Sequence, residues 1–209
     1  MGGSAAESVD GSSPGSVDRA VEVLRAGGLV VAPTETRLGL LADPFHAGAL
    51  RRAVELKQRP REQPFPLILP DAAAVERVAV RIPGLARRLI AACWPGPLTL
   101  LLPARDGLPV ELVGAGVRVA VRVPGPSPAA EIVRRFGGPL IASSANRRGR
   151  PTPASTEALE PALCRDVDLV VTGRSPGGAA STIVAFEGDG YRVVRSGAVP
   201  EEALRRTLT

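Results

Sequence analysis

Hydrophobic positions in this chain recur with two periods, and each period predicts a different element. Over residues 16–26, Val17, Ala20, Val21 and Leu24 share one face of a helix, with Ser16 placed to cap it and Gly27 and Gly28 to end it. Residues 29–33 form a continuous apolar run of strand length that leads into PTETRLGL. A second helix is expected over 47–56, ending ahead of Pro60. A short strand over 66–69 and two helices over 72–78 and 84–92 come next. Residues 98–102 read as an apolar strand. Residues 117–123 alternate strictly, with Val117, Val119, Val121 and Val123 on one face and Arg118, Ala120 and Arg122 on the other. A helix over 129–136, a strand over 139–142, a helix over 156–163 and a strand over 167–171 follow. Residues 181–186 and 191–195 read as a hairpin across EGDG, and a short helix over 201–207 completes the pattern.

Helices and strands intermix without repeats or a long linker. That predicts one α/β domain around a twisted sheet, mixed because of the hairpin, over residues 16–209. Residues 1–15, MGGSAAESVDGSSPG, are rich in Gly and Ser and read as a disordered tail. They lack the basic start and apolar run of an export signal, and no stretch is long and apolar enough to span a membrane. Two distant cysteines, Cys93 and Cys164, fit free thiols in a reducing cytoplasm.

Composition then narrows the chemistry. Hydrophobic residues make up 44% of the chain but only six residues are aromatic, so the core must be built from Ala, Val, Leu and Ile. His46 is the sole histidine, expected as an exposed imidazole near a helix start. A Ser-His-Asp triad therefore has one candidate base and no GxSxG elbow, and no Cys/His cluster has zinc-ligand spacing. The net charge of +5 favours an anionic partner, nucleotide or nucleic acid, although scattered arginines also serve as solvated faces. Lys57 is the sole lysine among 26 basic residues. A compact ammonium, used where arginine was not, suits a phosphate oxygen in a tight pocket.

Neither GxxxxGK[ST] nor GxGxxG occurs, so a nucleotide site must use another design. In ELKQRPREQPFP, Pro60 disfavours helix at Arg59. Lys57 and Arg59, two apart in extended chain, then aim at one anion; cations at a helix end also offset the helix dipole. Ser143, Ser144 and Asn146 follow an apolar strand, where ligands gather in α/β sheets, and the same residue types build turns. Arg147, Arg148 and Arg150 form either a basic lip or a wet loop. SPGGAAST places glycines before Ser181 and Thr182 and can form an anion nest or a plain loop. Arg118 and Arg122 share a strand face, expected about 7 Å apart, and line a basic groove or face water. Trp94, in WPGPLTLLLP, is a packing anchor.

In order along residues 24–197, the strings GGLVVAPTETRLGL, ELKQRP, WPGPLTLLLP, VAVRVP, PLIASSAN, STIV and VVRSGA resemble the YrdC/Sua5 family of threonylcarbamoyl-AMP synthases. The resemblance implies a YrdC-like α/β domain, a twisted mixed sheet flanked by helices with a basic concave groove. It implies that L-threonine, bicarbonate or CO2, and ATP with Mg2+ as a substrate complex are converted to threonylcarbamoyl-AMP and pyrophosphate. A downstream threonylcarbamoyl transferase then modifies tRNA; tRNA or double-stranded RNA is a further candidate partner. The chain is similar to the short form, without the extra C-terminal domain of Sua5-type members. Carried over residue by residue, Lys57 and Arg59 grip the triphosphate, and Arg118, Ser144, Asn146 and Arg195 also lie on the nucleotide. Thr34, Arg122, Ser143 and Ser181 hold L-threonine, with Arg122 on its carboxylate. Glu35 either touches Mg2+ or caps its turn. The family usually reads PT[DE]TVYGL; here Arg37 and Leu38 replace Val and Tyr, Arg118 stands where threonine is common, and Ile68 stands where some members have histidine. Two alternatives follow: a YrdC-like paralogue acting on another amine or carbamoyl donor, or an RNA-binding module without this activity.

Overall fold

Leucine-rich and β-branched runs pair into one mixed sheet across the residues described by the computed structural model, 6–58, 60, 63–114 and 117–208. The strands are β1 (Glu7–Asp10), β2 (Val30–Pro33), β3 (Leu38–Ala42), β4 (Leu67–Ile68), β5 (Leu98–Pro103), β6 (Val113–Gly114), β7 (Arg118–Arg122), β8 (Leu140–Ser144), β9 (Leu169–Thr172), β10 (Thr182–Glu187) and β11 (Gly190–Arg195). Their spatial order is β1-β9-β2-β3-β8-β4-β7-β5-β10-β11, with β6 beside β7. Parallel pairs (β1 with β9, β9 with β2, β4 with β7, β5 with β10) are mixed with antiparallel ones, and β10–β11 is the expected hairpin.

Among the described residues six helices flank the sheet: α1 (Ser16–Arg25), α2 (Ala47–Lys57), α3 (Gly84–Cys93), α4 (Pro128–Phe136), α5 (Pro161–Asp166) and α6 (Glu201–Leu208). Strand alternation sorts two apolar clusters onto opposite faces. The larger takes Ala53 and Leu56 of α2, Ala86 and Leu89 of α3 and Leu204 of α6, against Leu98, Leu100, Leu102, Val119, Val121 and Val184. The smaller packs Ala20, Val21 and Leu24 of α1 with Ile132 and Val133 of α4 over Val30, Ala32, Leu41, Leu140 and Val171. Helices α1 and α4 thus cover only the β9-β2-β3-β8 part of their face. Over β7, β5 and β10 that face stays open, and its outward residues Ala120, Arg122, Thr99, Leu101 and Ile183 line a cavity.

Several expectations are corrected. Residues 7–10 of the presumed tail form edge strand β1, in register from Glu7↔Leu169 to Asp10↔Thr172; residues 1–5 lie outside the described residues. Ser16 does not cap α1: Gly15 holds that place at φ 93°, and the Ser16 hydroxyl reaches back to the Gly11 carbonyl at 3.5 Å. The PTETRLGL segment contains β3, antiparallel to β2. Residues 73–77 are a 3₁₀ turn. The helix expected over 156–163 is a 3₁₀ turn at Thr156–Ala158 followed by α5, because Pro161 can start a helix but not continue one. His46 is exposed but not idle, since its Nδ1 accepts from the Ala49 N–H at 3.2 Å and caps α2.

Candidate active site

The lone lysine is the last residue of α2 and is only 7% exposed. Lys57 stays helical instead of leaving the helix extended; the turn comes one residue later, at Gln58, with φ 44° and ψ 44°. The side chain then crosses to the end of β8. Its Nζ donates to the Ser144 carbonyl at 2.8 Å, the Asn146 carbonyl at 2.5 Å and Asn146 Oδ1 at 2.6 Å. Ser144 Oγ donates to the same Oδ1 at 2.6 Å, and Asn146 Nδ2 donates to the Arg150 carbonyl. Three acceptors around one ammonium match its three rotatable donors; a planar guanidinium has no such arrangement. Lys57, Ser144 and Asn146 are therefore one unit, bordering a recess of about 160 Å³ with Pro60, Gln63 and Arg148. Arg59, expected beside Lys57, lies outside the described residues.

Gln63 and Ser144 also line the cavity of about 530 Å³ on the open sheet face, so the recess and the cavity adjoin. Thr34, Arg122, Ser143, Ser144, Ser181 and Arg195 all line that cavity, although they come from five separate places along the chain. Arg118 does not line it. Four strand rises, about 13 Å and not 7 Å, separate it from Arg122, and it sits at the opposite end of β7, paired with Pro103 and Gly114.

Arg122 is 8% exposed and forms an ion pair with Glu35, the acidic residue of the PTET string. Burial, with the charge of Arg195 adding to it, pushes the Arg122 guanidinium down to about 10. The turn before β3 is capped by Thr34 rather than Glu35. Thr34 Oγ1 donates to the Arg37 carbonyl at 2.6 Å and accepts from the Thr36 and Arg37 N–H groups, both at 3.1 Å. A hydroxyl has one donor and two acceptor sites, so that of Thr34 is spent on the turn, and the residue meets the cavity as a wall. Gly125 makes room for Glu35, because a Cβ there would stand 3.2 Å from Glu35 Cγ.

Ser181 is buried and its Oγ lies 2.8 Å from Thr99 Oγ1. Arg195 donates to the Ser181 carbonyl through Nε at 3.2 Å and Nη2 at 2.8 Å. Burial, then the neighbouring charge of Arg37, lowers the Arg195 guanidinium from its ordinary value. Sequence reasoning did not find Thr36, Gln63, Thr99 or Ile183 as cavity residues. For Thr99 and Ile183 the signal was available: each is an alternate position in an expected strand, 98–102 and 181–186.

The Sua5/YciO/YrdC family profile, described as "Telomere recombination", matches residues 22–197. A protein named threonylcarbamoyl-AMP synthase from Stenotrophomonas maltophilia is 38% identical over 169 residues, covering 79% of this chain and 90% of its own. One of the same name from Pyrococcus abyssi is 31% identical over 186 residues, 88% of this chain but 55% of that one. The crystal structure of P. abyssi Sua5 complexed with L-threonine superposes with a TM-score of 0.87 at 28% identity, over 98% of this chain and 61% of that one. The chain thus spans little more than half of that longer relative. It belongs to the Sua5/YciO/YrdC family.

Proposed function

We propose that this chain is a threonylcarbamoyl-AMP synthase, joining L-threonine, bicarbonate or CO2, and ATP with release of pyrophosphate. One observation supports this most: the Lys57–Ser144–Asn146 unit adjoins a cavity bearing Arg122, Ser143, Ser181 and Arg195. In this reading Lys57 and Arg59 are the catalytic cations, Lys57 acting through its charge because its donors are engaged by Ser144 and Asn146, while Arg59, Ser144, Asn146 and Arg195 contact the triphosphate. Arg122 takes the threonine carboxylate, and Ser143 and Ser181 line the rest of that pocket with Thr34 as its wall. Arg118 is the weakest member of the nucleotide set, since it stands away from the cavity.

The chemistry needs position more than proton transfer. The threonine amine adds to CO2, forming an N–C bond and releasing a proton to solvent. A carbamate oxygen then attacks the α-phosphorus of ATP, and the bond to the β-phosphate oxygen breaks. Both reactants are anions, so the obstacle is repulsion, which fixed cations offset in a site partly closed to water. Magnesium enters with ATP as part of the substrate. The product serves a downstream threonylcarbamoyl transferase acting on tRNA in the cytoplasm.

Incubating the pure protein with threonine, bicarbonate and MgATP tests the reading. Threonine-dependent pyrophosphate and a threonylcarbamoyl adenylate by mass spectrometry are expected; pyrophosphate formed with no amine, or none at all, overturns it. A second reading is favoured by Leu38, buried and lining the cavity where the family usually has tyrosine: the same chemistry on a different amine. A panel of amino acids in the same assay separates the two by which gives the highest kcat/KM.

A further inference from the structure

The segment before β10 is held at two carbonyls by two arginines that come from opposite ends of the chain. Arg37, in the turn before β3, donates Nε and Nη2 to the Gly178 carbonyl at 3.1 and 2.9 Å. Arg195, at the end of β11, does the same to the Ser181 carbonyl with Nε and Nη2. Gly177 and Gly178 take φ 77° and 85°, a backbone that turns this stretch and that other residues resist. Both arginines line the 530 Å³ cavity. Among the described residues neither has an ion-pair partner, whereas Arg122 has Glu35. Neither Nη1 has a protein acceptor among the described residues.

Two like charges thus line one cavity, tied to carbonyls three residues apart, each by one edge of its fork and with Nη1 left over. Burial lowers the Arg195 guanidinium and the charge of Arg37 lowers it further. Backbone carbonyls hold the forks but carry no full charge to neutralise them. An anion that bridges both Nη1 groups relieves the repulsion and adds charge-assisted hydrogen bonds. Its size is limited by a cavity of about 530 Å³ that, in the proposed reading, also takes a nucleoside and an amino acid.

We propose that Arg37 and Arg195 form a diphosphate subsite, taking the β,γ-phosphates of bound nucleotide and the pyrophosphate that leaves. This rests on the reading of the cavity as an ATP site and adds to it a residue, Arg37, at a position where the family usually has valine. The subsite neutralises charge on the leaving group, the side of the reaction away from the carbamate.

Titration calorimetry of pyrophosphate, ATP and AMP tests it on wild type, R37V, R37Q and R37K. R37V and R37Q are each expected to weaken pyrophosphate and ATP about tenfold, the scale of one charge-assisted contact, and to flatten the salt dependence. AMP, which lacks the terminal phosphates, changes by less than twofold, and R37K recovers most of the loss. Glutamine can still donate to the Gly178 carbonyl. Wild-type affinity in R37Q would therefore show Arg37 to be a loop tie and overturn the subsite, as would an unchanged R37V or an equal loss for AMP. Wild-type protein that binds neither pyrophosphate nor ATP overturns the ATP reading together with the subsite.

Discussion

Glu35 stands behind Arg122: the two form an ion pair, yet Arg122 lines the cavity and Glu35 does not. A buried guanidinium needs a counter-charge, and Glu35 meets it at Nη1. A ligand carboxylate entering from the cavity would take the remaining donors. Removing the charge of Glu35 should therefore disturb the amino acid and spare the nucleotide. E35Q is expected to raise the KM for threonine at least tenfold while the KM for ATP stays within twofold, and E35D should fall between. Equal losses for both substrates would show a general structural defect; an unchanged threonine KM in R122K would remove Arg122 from the amino-acid site.

Lys57 makes a sharper demand. Its ammonium sits among Ser144 O, Asn146 O and Asn146 Oδ1 at 2.5–2.8 Å. Lys57→Arg keeps the charge but pushes the end of β8 aside. A displacement near 1 Å costs on the order of 100-fold in rate, so pyrophosphate release should drop by about that factor with circular dichroism unchanged. Near-normal turnover would mean that the lysine is incidental.

The depressed Arg122 gives a pH prediction with two opposite signs. Burial and Arg195 push its folded value down to about 10, below that of the unfolded chain. In the window above 10 the unfolded state holds the extra proton, so this group's contribution to stability rises with pH. Carboxylate binding goes the other way, because the charge is present below about 10 and lost above it. Threonine affinity measured by calorimetry should fall through that window faster than the melting temperature alone explains, and R122K should shift the fall downward, because an amine has a lower ordinary value than a guanidinium and the same burial lowers it further.

Gly197 offers a steric test of the cavity wall. A Cβ there would lie 2.2 Å from the Ala180 carbonyl oxygen and 2.6 Å from Thr182 N. G197A must move backbone, which costs about 1–3 kcal/mol by overpacking and should lower the melting temperature by roughly 2–10 °C for a chain of this size. Since Ser181 lies in the displaced stretch, activity should fall further than stability does. A wild-type melt would show that the backbone yields freely.

Much of this was legible in the chain before folding was considered. Strict alternation located β7, the hairpin was marked by EGDG, and the family resemblance, rather than spacing, put the lone lysine with Ser144 and Asn146. What stayed hidden depends on distant partners. Residues 7–10 carry no apolar run, and only the backbone of β9 makes them a strand. Glu35 is unremarkable in sequence because its partner is 87 positions away, in Arg122. The left-handed Gln58 could not be inferred from Pro60, which biases only its immediate neighbour.

The position of β1 has a practical consequence. The family profile begins at residue 22, inside α1, yet β9 is closed on its outer side by residues 7–10. Trimming the protein to the profile would bare a row of backbone donors and acceptors along β9 and remove Ala20 and Val21 from beneath it. Such an edge templates strand addition by a second molecule, so the shortened protein should self-associate, and the smallest well-behaved unit starts ahead of Glu7.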